Sequence, residues 1–283
     1  MRAHVTGLDH VVILVHDLDR ARNTYARMGF TLTPRGFHTL GSQNHCIMLG
    51  SDYIELLATP KLHPSMRYWG EFLARGEGLG GIALATDDAH GAHAGLVAAG
   101  VPVDAPIEFS RLVELPGGSR DASFRVVQAD PAFTAGARFF LCEHFTRDVV
   151  WRSDCLSHPV GARGIAALAV VVDDPSASVA NTAKFFDERP IPIDEGLLVR
   201  TGTASIVFAT RGRIGRRLQG VALPLRPRPF VAALFIHVED RARHVAVHAA
   251  DALRRGGFSP VALKDGSYAV GADEAHGVAV VFG

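Results

Sequence analysis

Apolar residues along this chain gather in short runs broken by Gly, Pro or Asp, and one order of runs recurs four times. Residues 8–15 are rich in β-branched side chains and predict a strand. Asp17 then reads as the N-cap of a helix whose apolar positions are Leu18, Ala21, Tyr25 and Met28, and Gly29 as its left-handed stop. Extended runs at 30–33, 44–49 and 52–58 follow, separated by turn-forming residues. The order is strand, helix, three strands.

The second copy opens at Gly80, is capped by Asp88 and turns at Gly100, with strands expected at 107–115, 122–128 and 137–145 around a Pro116-to-Ser119 turn. The third opens at Ile165, is capped by Asp174 with Pro175 in its first turn, and ends in a strand near 204–210. The fourth opens at Val231, is capped by Asp240, carries a helix to about Arg255 and closes at 278–282. Each four-stranded sheet leaves one apolar face, so modules must pair to bury it. The expected fold is α+β: four βαβββ modules in two curved-sheet domains. Residues 1–150 form the first (modules 7–58 and 79–146), 151–163 a linker and 164–283 the second. Within the first pair, 60–78 predicts a crossing helix with Met66, Tyr68, Trp69, Phe72 and Leu73 as core.

Composition narrows the partners. Hydrophobic content of 48% and charged content of 20% suit a soluble globular chain. Lys+Arg and Asp+Glu are equal at 29 each, so no net field draws the chain to nucleic acid or an anionic membrane. The basic clusters at 211–217 and 226–228 read as solvated connector. The longest apolar run, 165–172, is far short of the roughly 20 residues a bilayer-spanning helix needs. Three cysteines without metal-type spacing fit reduced thiols in the cytoplasm. The glycines of 76–81 precede a strand rather than follow one, so no nucleotide cofactor is expected. His244 and His248 have zinc-compatible helical spacing but no evident third ligand.

The βαβββ modules, the opening Asp9-His10-Val11-Val12-Ile13-Leu14-Val15, the Met28-Gly29-Phe30 helix exit and Tyr53-Ile54-Glu55-Leu56-Leu57 resemble the vicinal oxygen chelate superfamily. Within it, the chain is similar to bacterial glyoxalase-like proteins. The stretch from Phe140 to Gly161, with Glu143-His144-Phe145-Thr146 and His158-Pro159, adds to the resemblance.

That resemblance implies a cup formed by two paired modules, with any metal held by their first and fourth strands. Seven residues before each cap stand His10, Gly81, Ala167 and Ala233, so only module one has a ligating side chain there. Glu55 lies on the first module's fourth strand, and Glu143 is placed on the second's. The implied metal set is His10, Glu55 and Glu143 around a single divalent ion (Zn, Mn or Fe), with Glu55 and Glu143 also the catalytic carboxylates. The same residues equally suit an acid–base pair without metal, or a purely structural role. Arg111 and Arg125 would clamp a carboxylate or enolate, and His38, Asn44 and His45 would line the cup rim. The expected function is metal-assisted lyase or isomerase chemistry on a small oxygenated substrate. The alternatives are a metal-free binding protein or a ring-cleaving dioxygenase, which Gly81 disfavours. The C-terminal pair reads as a scaffold or a homodimer surface.

Overall fold

In a computed structural model the chain is described over residues 2–60, 64, 67–115, 117–239 and 245–283. Module one comprises β1 (Val5–Leu14), α1 (Leu18–Arg27), β2 (Gly36–His38), β3 (Gln43–Met48) and β4 (Tyr53–Ala58). Helix α2 (Arg67–Leu73) leads to β5 (Gly78–Thr86), α3 (Ala89–Ala98), β6 (Ile107–Leu115), β7 (Gly118–Gln128) and β8 (Arg138–His144). A short helix, α4 (Arg147–Val150), precedes β9 (Ala162–Val171), α5 (Pro175–Phe186), β10 (Ile191–Ile193), β11 (Gly196–Thr201) and β12 (Ala204–Ala209). Helix α6 (Arg211–Arg217) connects to β13 (Phe230–Val238), α7 (Val245–Arg255), β14 (Val261–Ala262), β15 (Tyr268–Val270) and β16 (Ala279–Phe282).

The caps explain the helix starts. Asp17 accepts the Arg20 N–H, Asp88 those of His90 and Gly91, and Asp174 those of Ser176 and Ala177. Each such cap is worth about 1 kcal/mol. Gly29 and Gly100 end their helices at φ +91° and +71°, the left-handed region a side chain disfavours. One strand departs from expectation: 30–33 is not in the sheet, and β2 forms at Gly36–His38 instead. Pro34 lacks the N–H a ladder needs, so Thr33 ties the segment to Cys46 by single hydrogen bonds. Asp240 as a cap, Pro116, Met66, Arg241, Arg243 and His244 lie outside the described residues.

The first eight strands close into a barrel, in the order β1-β4-β3-β2-β6-β7-β8-β5. In each of its modules the first strand is parallel to the fourth, and the modules meet antiparallel at β1 and β5. A second seam pairs β2 with β6 and sets His38 beside Arg111. The last eight strands form an open sheet, in the order β10-β11-β12-β9-β13-β16-β15-β14. The two sheets share one hydrophobic core. Phe139 of β8 packs on Phe185 of α5 at 5.3 Å, and Phe30 on Phe282 of β16 at 5.7 Å. Fully burying each such ring contributes about 1.5–3 kcal/mol.

Asp52, in the β3–β4 turn, reaches across to the second sheet and accepts the Ile165 N–H. Burial pushes its carboxyl up to about 7, so the folded chain holds a proton there that the unfolded chain releases near pH 4. Stability from this group is therefore complete below pH 4 and lost as pH rises to about 7. Asp52→Asn keeps the acceptor and removes the titration. It should raise the melting temperature at pH 8, by up to about 4 kcal/mol in stability, with the difference vanishing near pH 4. An equal effect at both pH values in thermal scans would refute this account.

Candidate functional site

Alternation along the barrel strands sorts side chains to its two faces. On β3, Asn44 points inward with Cys46 and Met48, and His45 outward with Ile47. Tyr53, Glu55 and Leu57 of β4 point inward, as do Phe109 and Arg111 of β6, and Phe140 and Cys142 of β8. A register shift between Leu8 and His10 marks a β-bulge in β1. The extra residue lets Asp9 and His10 both serve the inner side, while Leu8 and Val11 face the shared core. Trp69, from α2, adds a wall.

The cavity is partly open and has a volume of about 70 Å³. At 10–15 Å³ per water-sized sphere this is room for about five waters. Its walls are mostly apolar and aromatic. At its centre Glu55, 7% exposed, receives the Asn44 side-chain N–H at 2.5 Å. His10 Nε2 lies 3.8 Å from Glu55 Oε2, and His38 Nε2 lies 3.8 Å from Oε1. Burial pulls the His38 imidazole down to about 4, against the pull of Glu55 and helped by Arg111 and His10, so the ring is neutral at ordinary pH. Arg111, 5% exposed, lines the same cavity and has no ion-pair or hydrogen-bond partner among the described residues.

Behind His10 sits Asp9, fully buried. It accepts from His144 Nε2 at 2.9 Å on both oxygens and from His10 Nδ1 at 3.4 Å. Burial alone would raise its carboxyl, but the hydrogen bonds and charges of the two imidazoles hold it far below the usual carboxylate range. His10 is further fixed by stacking on Tyr53, ring centroids 4.3 Å apart.

His10, His38, Asn44, Glu55 and Arg111 are thus brought together, and three expected members are not. Glu143 faces outward, where Arg125 binds it at 3.2 Å and it accepts the first N–H of α3 from Ala89. Arg125 is held outside by Glu143 and by Glu108 at 2.6 Å. His45 donates its Nδ1–H to the Thr33 carbonyl, at 2.8 Å on the outer face. Sequence reasoning missed Asp9 and Cys142 as site residues and took Trp69 as core. The only signal for the first was its place beside His10, and strict alternation turns that signal the wrong way.

The strand registers explain the Glu143 error. In module one His10 pairs with Tyr53 and Val12 with Glu55; in module two Gly81 pairs with Arg138 and Ala83 with Phe140. The counterpart of Glu55 is therefore Phe140. The metal positions implied by the family resemblance are half filled, by His10 and Glu55 facing Gly81 and Phe140. A Cβ at 81 would lie 2.9 Å from the Trp69 ring and 3.0 Å from Val12, so no ligand fits there. His10 and His38 also approach different oxygens of Glu55. The donor set does not fit the inherited metal position.

A model of the glyoxalase-like domain family matches residues 8–186. The chain belongs to this family and, with it, to the vicinal oxygen chelate superfamily. By structure it is similar to a hypothetical protein from Staphylococcus aureus, at 15% identity and TM-score 0.65, covering 98% of each chain. It is also similar to a mutant 4-hydroxymandelate synthase from Streptomyces coelicolor, at 15% identity and TM-score 0.57, covering 92% of this chain and 77% of that one. A xylose isomerase-like TIM barrel/4-hydroxyphenylpyruvate dioxygenase fusion protein matches at 15% identity and TM-score 0.61, over 100% of this chain and 50% of that one. These likenesses establish the fold. No curated protein matches by sequence.

Gly36 is the tight point of the site. A Cβ there would overlap Asn44 Oδ1 and stand 3.2 Å from Arg111 Nη1. Gly36→Ala is expected to cost about 1–3 kcal/mol by overpacking. Gly215→Ala, in α6 with nothing within 4 Å of the added carbon, should be neutral or stabilising by up to about 1 kcal/mol. Denaturant unfolding of the pair checks this, and equal midpoints would refute the crowding.

Proposed function

We propose that the barrel cavity binds a compact anionic molecule through Arg111 and moves a proton on it with Glu55 and His10. The observation that carries this reading is the buried, unpartnered Arg111 guanidinium in a mostly apolar chamber with Glu55. Leaving a cation so placed costs several kcal/mol, which an anionic ligand offsets with charge-assisted hydrogen bonds.

The roles follow from the hydrogen bonds. Asn44 occupies Glu55 Oε1 and leaves Oε2 free toward His10. With an anionic group held on Arg111, Oε2 is the base for a proton on the neighbouring carbon or hydroxyl. His10, with Nδ1–H tied to Asp9, presents Nε2 as the site that takes the proton or returns it. Negative charge developing on the substrate is stabilised by Arg111 in a medium that screens it little. His38, kept neutral, adds a polar contact without competing for the anion. The mostly apolar walls with one cation and one carboxylate suit a small oxygenated compound. The metal-assisted form built on His10, Glu55 and Glu143 is set aside, because Glu143 stands on the other side of β8.

A panel of small 2-oxo and 2-hydroxy carboxylates, screened by calorimetry and then for conversion, tests the proposal. Arg111→Met should weaken binding roughly 10- to 100-fold. Glu55→Gln should bind within about threefold of wild type yet lose turnover by about 10²–10⁴. Binding undiminished in Arg111→Met would sink the anion site. Tight binding with no conversion by the wild type would make the protein a carrier rather than an enzyme.

A further inference from the structure

We propose that Asp9, Cys142 and His144 bind one divalent cation of the zinc class beneath the barrel cavity, at a place distinct from the half-filled family position. The donors come from two strands that are not neighbours in sequence. The bulge in β1 turns Asp9 inward, and alternation along β8 puts Cys142 and His144 on that same side. One atom from each lies within 4.8 Å of one from each of the others.

The separations suit a shared ion. Zn–S bonds of about 2.3 Å and Zn–N or Zn–O bonds of about 2.0 Å place tetrahedral donors about 3.3–3.6 Å apart. Cys142 Sγ is 3.6 Å from His144 Nε2. The His144 Nε2 to Asp9 distances of 2.9 Å need only open by a few tenths of an ångström. A fourth place is left toward His10, whose Nδ1 is 3.4 Å from Asp9 Oδ1, or for a water.

Charge and ligand type select the ion. One carboxylate and one thiolate cancel a 2+ charge, and a neutral cluster is the form that fully buried ionic groups tolerate. Sulfur and imidazole donors exclude the oxygen-seeking Mg²⁺ and Ca²⁺. On loading, the Cys142 S–H bond breaks, a sulfur–metal bond forms and the proton leaves to solvent. His144 Nε2 becomes a ligand by shifting its hydrogen to Nδ1, which has no hydrogen-bond partner. Nothing is oxidised or reduced. A loaded site would fix Asp9, and through it His10, so it serves the proposed chemistry as a positioning device rather than as the reacting centre.

Cobalt(II) is the probe. Full-length protein freed of metal by chelator under reducing conditions is titrated with Co²⁺, following absorbance and proton release. The expected result is saturation at one equivalent. It brings a sulfur-to-cobalt charge-transfer band, visible bands of a four-coordinate ion, release of at least one proton, and displacement by Zn²⁺. Cys142→Ser should abolish the charge-transfer band, and His144→Ala should weaken binding at least tenfold. Glu55→Gln and His38→Ala should leave the titration unchanged, which separates this site from any metal in the cavity. Should Cys142→Ser fail to fold, the Cys46→Ser/Cys155→Ser double variant leaves Cys142 as the remaining thiol and must retain the band. No charge-transfer band in the wild type, a band lost in that double variant, or binding lost with Glu55 would each overturn the proposal.

Discussion

The barrel depends on the antiparallel seam between β1 and β5, where two modules meet closely enough that a side chain is not tolerated. Gly81 faces Val12 across that seam, and Gly80 sits under Leu14 and Phe72. Because both are glycine, α2 can lay Trp69 and Phe72 over the strands and stop the barrel with apolar rings. The same absence of a side chain removes the position from which a second module would offer a ligand. Closing the chamber and filling the inherited metal position are therefore competing uses of one space, and here the wall occupies it.

A mostly apolar chamber sets the terms for every polar group inside. Two carboxylates, a guanidinium and three imidazoles share the inner face, and each has to be compensated without bulk water. The pattern of compensation is uneven. Asp9 is satisfied twice over by His10 and His144, and Glu55 is held on one oxygen by Asn44. Arg111 is satisfied by nothing among the described residues. A structural role predicts that every such group finds a partner, because an unpaired buried ion is the costliest state available to it. Among the described residues Arg111 is the unpaired charge of this set, and it faces the cavity. The proposed chemistry therefore rests on Arg111 and Glu55, with the Asp9 cluster as support.

The helices and most strands were legible in the sequence because they rest on local rules. Caps at Asp17, Asp88 and Asp174, and stops at Gly29 and Gly100, are each decided within a few residues. The family resemblance placed Glu55 in the cup, and alternation sets His144 opposite to Glu143. Alternation did not tell which of that pair entered the barrel, because counting along β8 carries no absolute phase without the partner strand. Three residues of slip put Glu143 where Phe140 belongs. Arg125 and His45 were lost to the same uncertainty of face. Asp9 was hidden for another reason: a bulge is a local break in the very alternation used to read strands. The adjacency of His38 and Arg111 was out of reach altogether, since it follows from β2 pairing with β6, two strands far apart in the chain.

The second eight-stranded sheet shows what the first would be without that last seam. Its outer strands β10 and β14 do not pair with each other, so the sheet stays open where the barrel closes. Its strand positions equivalent to His10 are Ala167 and Ala233, both small and apolar. The sheet lacks a counterpart of His10, and its packing gives it a structural role. Its Phe208 and Phe282, with Phe185 of α5, complete a core that also contains Tyr25 and Phe139 of the first half. Removing it would strip one side of β1, β4 and β5, the strands that carry His10, Glu55 and Gly81. The half without a counterpart of His10 thus backs the half that has one, and the register of the barrel's inward-facing groups rests in part on that packing.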